Sequence, residues 1–137
     1  MDIKVTTHFD KLITELDNTQ KLLKISMEKS LQACGEMLKQ EMIKRIESGS
    51  KTGNMYGNHQ ASAPGQSPAD DSGDLVRSLK VDVLKNGEMN IKGTIYALYL
   101  ENGTSKMQPR PFIQPSIKGV RRQIQKIFEK EVANIKK

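Results

Sequence analysis

The chain has 137 residues, 36% of them apolar and 4% aromatic, with no Trp and a formal net charge of +6. That length suits one domain whose modest core is built from Leu, Ile, Val and Met, and no apolar run approaches the roughly 18 residues that a membrane span needs. A single cysteine, Cys34, rules out an internal disulfide, and Met1-Asp2-Ile3-Lys4 lacks the basic-then-apolar pattern of a secretory signal, so the sequence reads as that of a protein kept in a reducing cytoplasm.

Residues 9–47 have helical spacing. Phe9, Leu12, Ile13 and Leu16 form a first apolar patch, and Asp17-Asn18-Thr19 interrupts it, because such side chains compete for backbone hydrogen bonds. A second stripe runs through Leu23, Met27, Leu31, Cys34, Leu38, Met42 and Ile46 in steps of three or four residues. The pattern predicts a short helix and then a long one, with the stripe in the core.

Composition changes at residues 48–73, where Gly, Ser, Asn and Pro dominate and Met55 and Tyr56 are the strongest apolar side chains. A connection this long is uncommon inside a compact domain and is usually functional or ordered only on binding. It reads as a mobile arm. Residues 75–84 follow as a predicted strand, with Leu75, Arg77, Leu79, Val81 and Val83 on one face by period two. Asn86-Gly87 supplies a hairpin turn and residues 89–96 the returning strand, with Gly93 as a candidate bulge. Residues 96–104 lean towards a helical turn ended by Asn102-Gly103, and residues 105–111 form a loop.

The last element is an amphipathic helix. Pro115 suits its first turn, Ile117, Val120, Ile124 and Ile127 mark the inner face, and Lys118, Arg121, Arg122, Lys126 and Lys130 the outer one. Residues 112–137 hold seven basic and two acidic side chains, so nearly all of the net charge sits here. Such a face suits nucleic acid or an acidic protein surface. Together the elements predict an α+β fold in one domain, 1–137: a long N-terminal helix and a C-terminal helix packed on a small antiparallel sheet, with a long Gly/Pro-rich arm.

Catalytic constellations are missing from the sequence. His8 and His59 are the only histidines, and neither has a partner at metal-ligand spacing. Cys34 lies within the apolar stripe, where a thiol acts as a small hydrophobe. Glu101 is a lone carboxylate without a second acid or base, better suited to capping or ordering the loop that follows. Gly49, Gly53 and Gly57 lack the Lys-Ser/Thr of a phosphate-binding loop. The expectation is therefore a non-enzymatic protein with no cofactor and no metal.

Three stretches resemble a known family. Ala63-Pro64-Gly65-Gln66-Ser67-Pro68-Ala69-Asp70-Asp71-Ser72-Gly73-Asp74-Leu75-Val76-Arg77-Ser78-Leu79 is similar to its proline-rich loop followed by Thr/Ser-Gly-x-Leu-x-x-Ser-Ile/Leu. Tyr96-Ala97-Leu98-Tyr99-Leu100-Glu101-Asn102-Gly103-Thr104 is similar to Tyr-Ala-x-Tyr-Val/Leu-Glu-x-Gly-Thr. Arg110-Pro111-Phe112-Ile113-Gln114-Pro115-Ser116 is similar to Arg-Pro-Phe-Leu/Ile-x-Pro-Ala, with Ser116 standing where Ala is usual. The Gly-rich stretch at 49–59 is a second departure. The family is the head–tail joining, or tail-completion, proteins of long-tailed double-stranded DNA phages and prophages.

That resemblance implies a structural virion component of the neck, made in the host cytoplasm. It implies a ring around the DNA channel, contacting the connector or head-completion protein on one side and the tail-tube or tail-terminator protein on the other. The motif residues Gly73, Leu75, Ser78, Tyr96, Tyr99, Glu101, Gly103, Thr104, Arg110, Pro111, Phe112 and Pro115 would then do scaffold work, and Lys118, Arg121, Arg122 and Lys126 would face DNA or a partner. The alternative from another class is a small basic nucleic-acid-binding regulator.

Overall fold

The computed structural model describes residues 2–6, 20–84 and 86–135. His8, the predicted short helix through Phe9, Leu12, Ile13 and Leu16, and Lys136 and Lys137 lie outside the described residues.

Strand β1 (Asp2–Thr6) is followed by helix α1 (Gln20–Ser48), a short hairpin of β2 (Met55–Tyr56) and β3 (His59–Gln60), helix α2 (Asp74–Ser78), strands β4 (Lys80–Val83) and β5 (Glu88–Lys92), and helices α3 (Ile95–Asn102) and α4 (Ile113–Ile135). The main sheet is antiparallel in the order β1-β5-β4, and β2 and β3 form a second, two-stranded sheet. The architecture is α+β, as the sequence predicts.

Every member of the α1 stripe from Leu23 to Ile46 is buried. Gly35 explains how closely α1 lies on the sheet: a Cβ there would fall on Val81 Cγ1 and Met89 Sδ, well inside van der Waals contact. Helix α4 runs antiparallel along α1. Near one end Ser26 Oγ donates to Glu131 Oε2, and near the other Gly119 sits against Glu41 and Arg45, themselves paired at 3.0 Å. Leu38, Met42, Leu79, Ile91, Phe112 and Val120 belong to one core that α1, the sheet and α4 share. None of the described helices is long and apolar enough to cross a membrane.

The predicted strand 75–84 divides, and this corrects the sequence reading. Residues 74–78 are helical and only 80–83 are extended. Leu75 and Leu79, both buried, are four residues apart, a spacing that fits a helix face as well as alternation. Local chemistry decides between them. The two oxygens of Asp70 accept from Gly73 N at 3.0 Å and Val76 N at 3.0 Å, which satisfies donors at the start of α2. The hairpin turn is where it was expected: Gly87 takes φ 79°, Leu84 N donates to Glu88 O, and Asn86 Oδ1 accepts from Glu88 N. Strand β5 ends at Lys92, four residues short of the predicted end, so Gly93 follows the strand and does not bulge it. Strand β1, which was not legible in the sequence, makes β5 the central strand.

Candidate functional site

The motif stretches meet at a junction between the end of α3, the start of α4 and the arm. Helix α3 buries Ala97 and Leu100 and leaves Ile95, Tyr96, Leu98 and Tyr99 exposed on its opposite face. The helical turn expected at 96–104 is therefore a full helix of 8 residues.

Glu101, near its C-terminal end, reaches across to the N-terminus of α4. Its Oε2 accepts from Phe112 N and Ile113 N, each at 2.8 Å, and its Oε1 accepts from Gln114 N at 2.9 Å. Pro115 has no N–H, and Ser116 N donates to Phe112 O as the first bond of the helix. Every donor that a helix N-terminus ordinarily leaves unpaired is thus either satisfied by one carboxylate or missing because the residue is Pro. The carboxylate also lies at the positive end of the helix dipole. This is the capping role that a lone Glu101 suggested.

The surrounding residues hold that geometry. Gly103 ends α3 at φ 75° and ψ 178°, and a Cβ there would lie 2.7 Å from Met107 O and 2.9 Å from Pro109. Both are constraints that only glycine meets. Thr104 and Met107 exchange backbone hydrogen bonds, and Thr104 Oγ1 accepts from Lys106 N. Arg110 N donates to Leu100 O, and its Nε donates to Ser62 O. Half-buried Pro111 leads into Phe112, which is fully buried. Ser116 is also fully buried, and its hydroxyl is satisfied by donating back to Phe112 O at 2.5 Å, so the departure from Ala leaves no polar atom unpaired.

The arm closes one side of the junction. Gly65 N donates to Pro109 O, and Ser62 and Pro68 are buried. Gln66 clamps it from within: its Oε1 accepts from Thr52 N and Ala63 N, and its Nε2 donates to Thr52 Oγ1. The segment expected to be a mobile arm thus has defined partners at Ser62, Gly65 and Gln66. On the far side, Gly73 precedes α2 at φ 78°, Leu75 is buried, and Ser78 Oγ donates to Leu75 O and accepts from Thr94 N.

Electrostatics here are local. Ser72 Oγ, donating at 2.7 Å, and Arg77, at 2.6 Å, hold the Asp74 carboxyl below its ordinary range. His59 Nδ1 lies 3.4 Å from Asp71 Oδ1. Away from the junction, burial pushes the Cys34 thiol up and lowers Lys51. No group of three or more potential metal ligands occurs among the described residues. Lys118, Arg121, Arg122 and Lys126 are all exposed on α4, as predicted; Lys118 and Arg121 border a hollow that they share with Leu31, Met89 and Phe128, and none of the four is in an ion pair among the described residues.

Asp70 and Gln66 lie in the first motif stretch without a role assigned to either, and sequence reasoning missed the exposed α3 face. The Asp-x-x-Gly-Asp run at 70–74 is a capping signature that would have revealed the first; Gln66 had no local signal. The chain matches no family model, no curated protein and no solved structure.

Proposed function

We propose that the chain is a structural subunit of a tailed-phage virion, joining head to tail at the neck and assembling as a ring around the DNA channel. One observation carries the reading. The polar groups of Glu101, Gly103, Thr104, Arg110 and Ser116 are spent on internal scaffold bonds, while the large side chains left exposed on α3, those of Ile95, Tyr96, Leu98 and Tyr99, are apolar or aromatic. Such a surface suits contact with protein. The partners in this reading are further copies of the chain, the connector or head-completion protein, and the tail-tube or tail-terminator protein. Particles assembled without this protein should yield separate heads and tails, and adding the purified chain should join them. Separate heads and tails after that addition, together with no rings by electron microscopy, would refute the reading.

The exposed cations of α4, in no ion pair among the described residues, favour a second reading, a small basic nucleic-acid-binding regulator. Four phosphate contacts would give log K against log salt a slope of about −4 on duplex DNA. A flat salt dependence removes that alternative.

A further inference from the structure

We propose that the hollow between the arm and α3 is the docking site for the basic α4 face of a second copy of this chain. The inference rests on the structural-subunit reading above and specifies which two faces meet.

Two adjoining hollows, of about 440 and 280 Å³, share Tyr96, His59 and Ala69. The larger is lined by the carboxylates of Asp70, Asp71 and Asp74 and by no Lys or Arg. Tyr96, 56% exposed, borders both, and Tyr56, 66% exposed, borders the smaller. Carboxylates beside open aromatic faces are the combination that holds an ammonium or guanidinium group, through charge-assisted hydrogen bonds and cation–π contact. Asp70 caps α2 and Asp74 holds Arg77, so the exposed Asp71 has the most accepting capacity left for an incoming cation, while Arg77 and Arg110 are engaged with Asp74, Ser72 O and Ser62 O.

The complementary face is on the same molecule. Lys118, Arg121, Arg122 and Lys126 together span about two helical turns, exposed and outside any ion pair among the described residues. None of them lines the hollow, so a copy can give its α4 to one neighbour while its hollow receives α4 from another. Two different faces meeting in this way make a heterologous contact, the kind that closes into a ring. Docking would also cover the exposed apolar edge of α3. Phosphate is a poor occupant of the hollow, because three carboxylates would face it.

Sedimentation velocity of the full chain tests the pairing, with circular dichroism confirming that each variant folds. Asp71→Lys/Asp74→Lys reverses the hollow, and Arg121→Glu/Arg122→Glu reverses the helix. Each variant alone should self-associate at least about tenfold more weakly than the parent, the effect of losing one well-formed charge contact. An equimolar mixture should recover association, since reversed hollow then meets reversed helix and the unaltered faces still match. Tyr96→Ala, which changes no charge, should also weaken association. If the hollow variant misfolds, Asp71→Lys alone replaces it, because among the described residues the Asp71 carboxylate caps no backbone group and pairs with His59. Both variants associating like the parent, or a mixture that stays dissociated, overturns the pairing and leaves ring assembly intact. A parent chain that remains monomeric overturns both. Duplex DNA bound through Arg121 and Arg122, with association unchanged by their reversal, assigns the face to nucleic acid and overturns the pairing.

Discussion

Replacing Glu101 by Gln keeps the length of the side chain but turns one acceptor oxygen into a donor. The oxygen at stake, Oε2, serves both Phe112 N and Ile113 N. Leaving such donors without an acceptor costs about 1–3 kcal/mol, and loss of the carboxylate at the helix N-terminus adds to it. Urea unfolding of Glu101→Gln should show a stability loss in that range, and an unchanged midpoint would mean that water replaces the cap. Asp74 gives a pH signature. Its carboxyl is held below the ordinary value of 3.8, so its contribution is present above that value and lost as the pH falls through the lower folded value. The difference in urea midpoint between the parent and Asp74→Asn should therefore be constant near neutrality and close in strong acid; a gap that persists there would contradict the assignment.

The elements show where local and tertiary demands diverge. Gly35 is a poor helix residue in the middle of a 29-residue helix. Ala would improve helix propensity by about 1 kcal/mol. Its methyl would meet Val81 and Met89, however, and overpacking costs about 1–3 kcal/mol. Gly35→Ala should lower stability, and a gain would show that α1 shifts freely on the sheet. Within the arm, one side-chain amide satisfies two backbone donors. Gln66→Ala removes the acceptor of Thr52 N and Ala63 N together, so hydrogen exchange over 52–63 should quicken while α1 and α4 keep their protection. Fast exchange of that segment already in the parent would mean that the arm orders only against a neighbour, as its Gly/Pro-rich composition suggests. Helix α2 teaches a related lesson: its alternation predicts a strand, but Asp70 captures Gly73 N and Val76 N and winds the chain into a helical turn.

For the whole molecule, the proposed pairing of the hollow with α4 makes association depend on charge. Contacts between exposed carboxylates and cations weaken as the Debye length shrinks from about 10 Å at 0.1 M salt to about 3 Å at 1 M. Self-association through the α4 face should therefore fall with added salt, measured by light scattering across that range. An assembly held by the apolar face of α3 alone would hold or tighten instead, because salt does not screen apolar burial. Association that survives at high salt would then rest on the exposed Ile95, Leu98 and Tyr99.

The two long helices, the hairpin turn at Asn86-Gly87 and the basic face of α4 were determined by the sequence alone. Periodicity, turn chemistry and charge are local properties that need no partner to be read. The capping role of Glu101 was half legible: a lone carboxylate before Gly103 announced an ordering function, but its three donors lie eleven to thirteen residues away. Only the tertiary structure decided that Phe112, Ile113 and Gln114 receive it, that β1 pairs with β5, and that Gly65 and Arg110 tie the arm to the junction. The physical reason is the same in each case. A hydrogen bond between distant segments leaves no periodic trace in either one, and appears only once the core has brought them together.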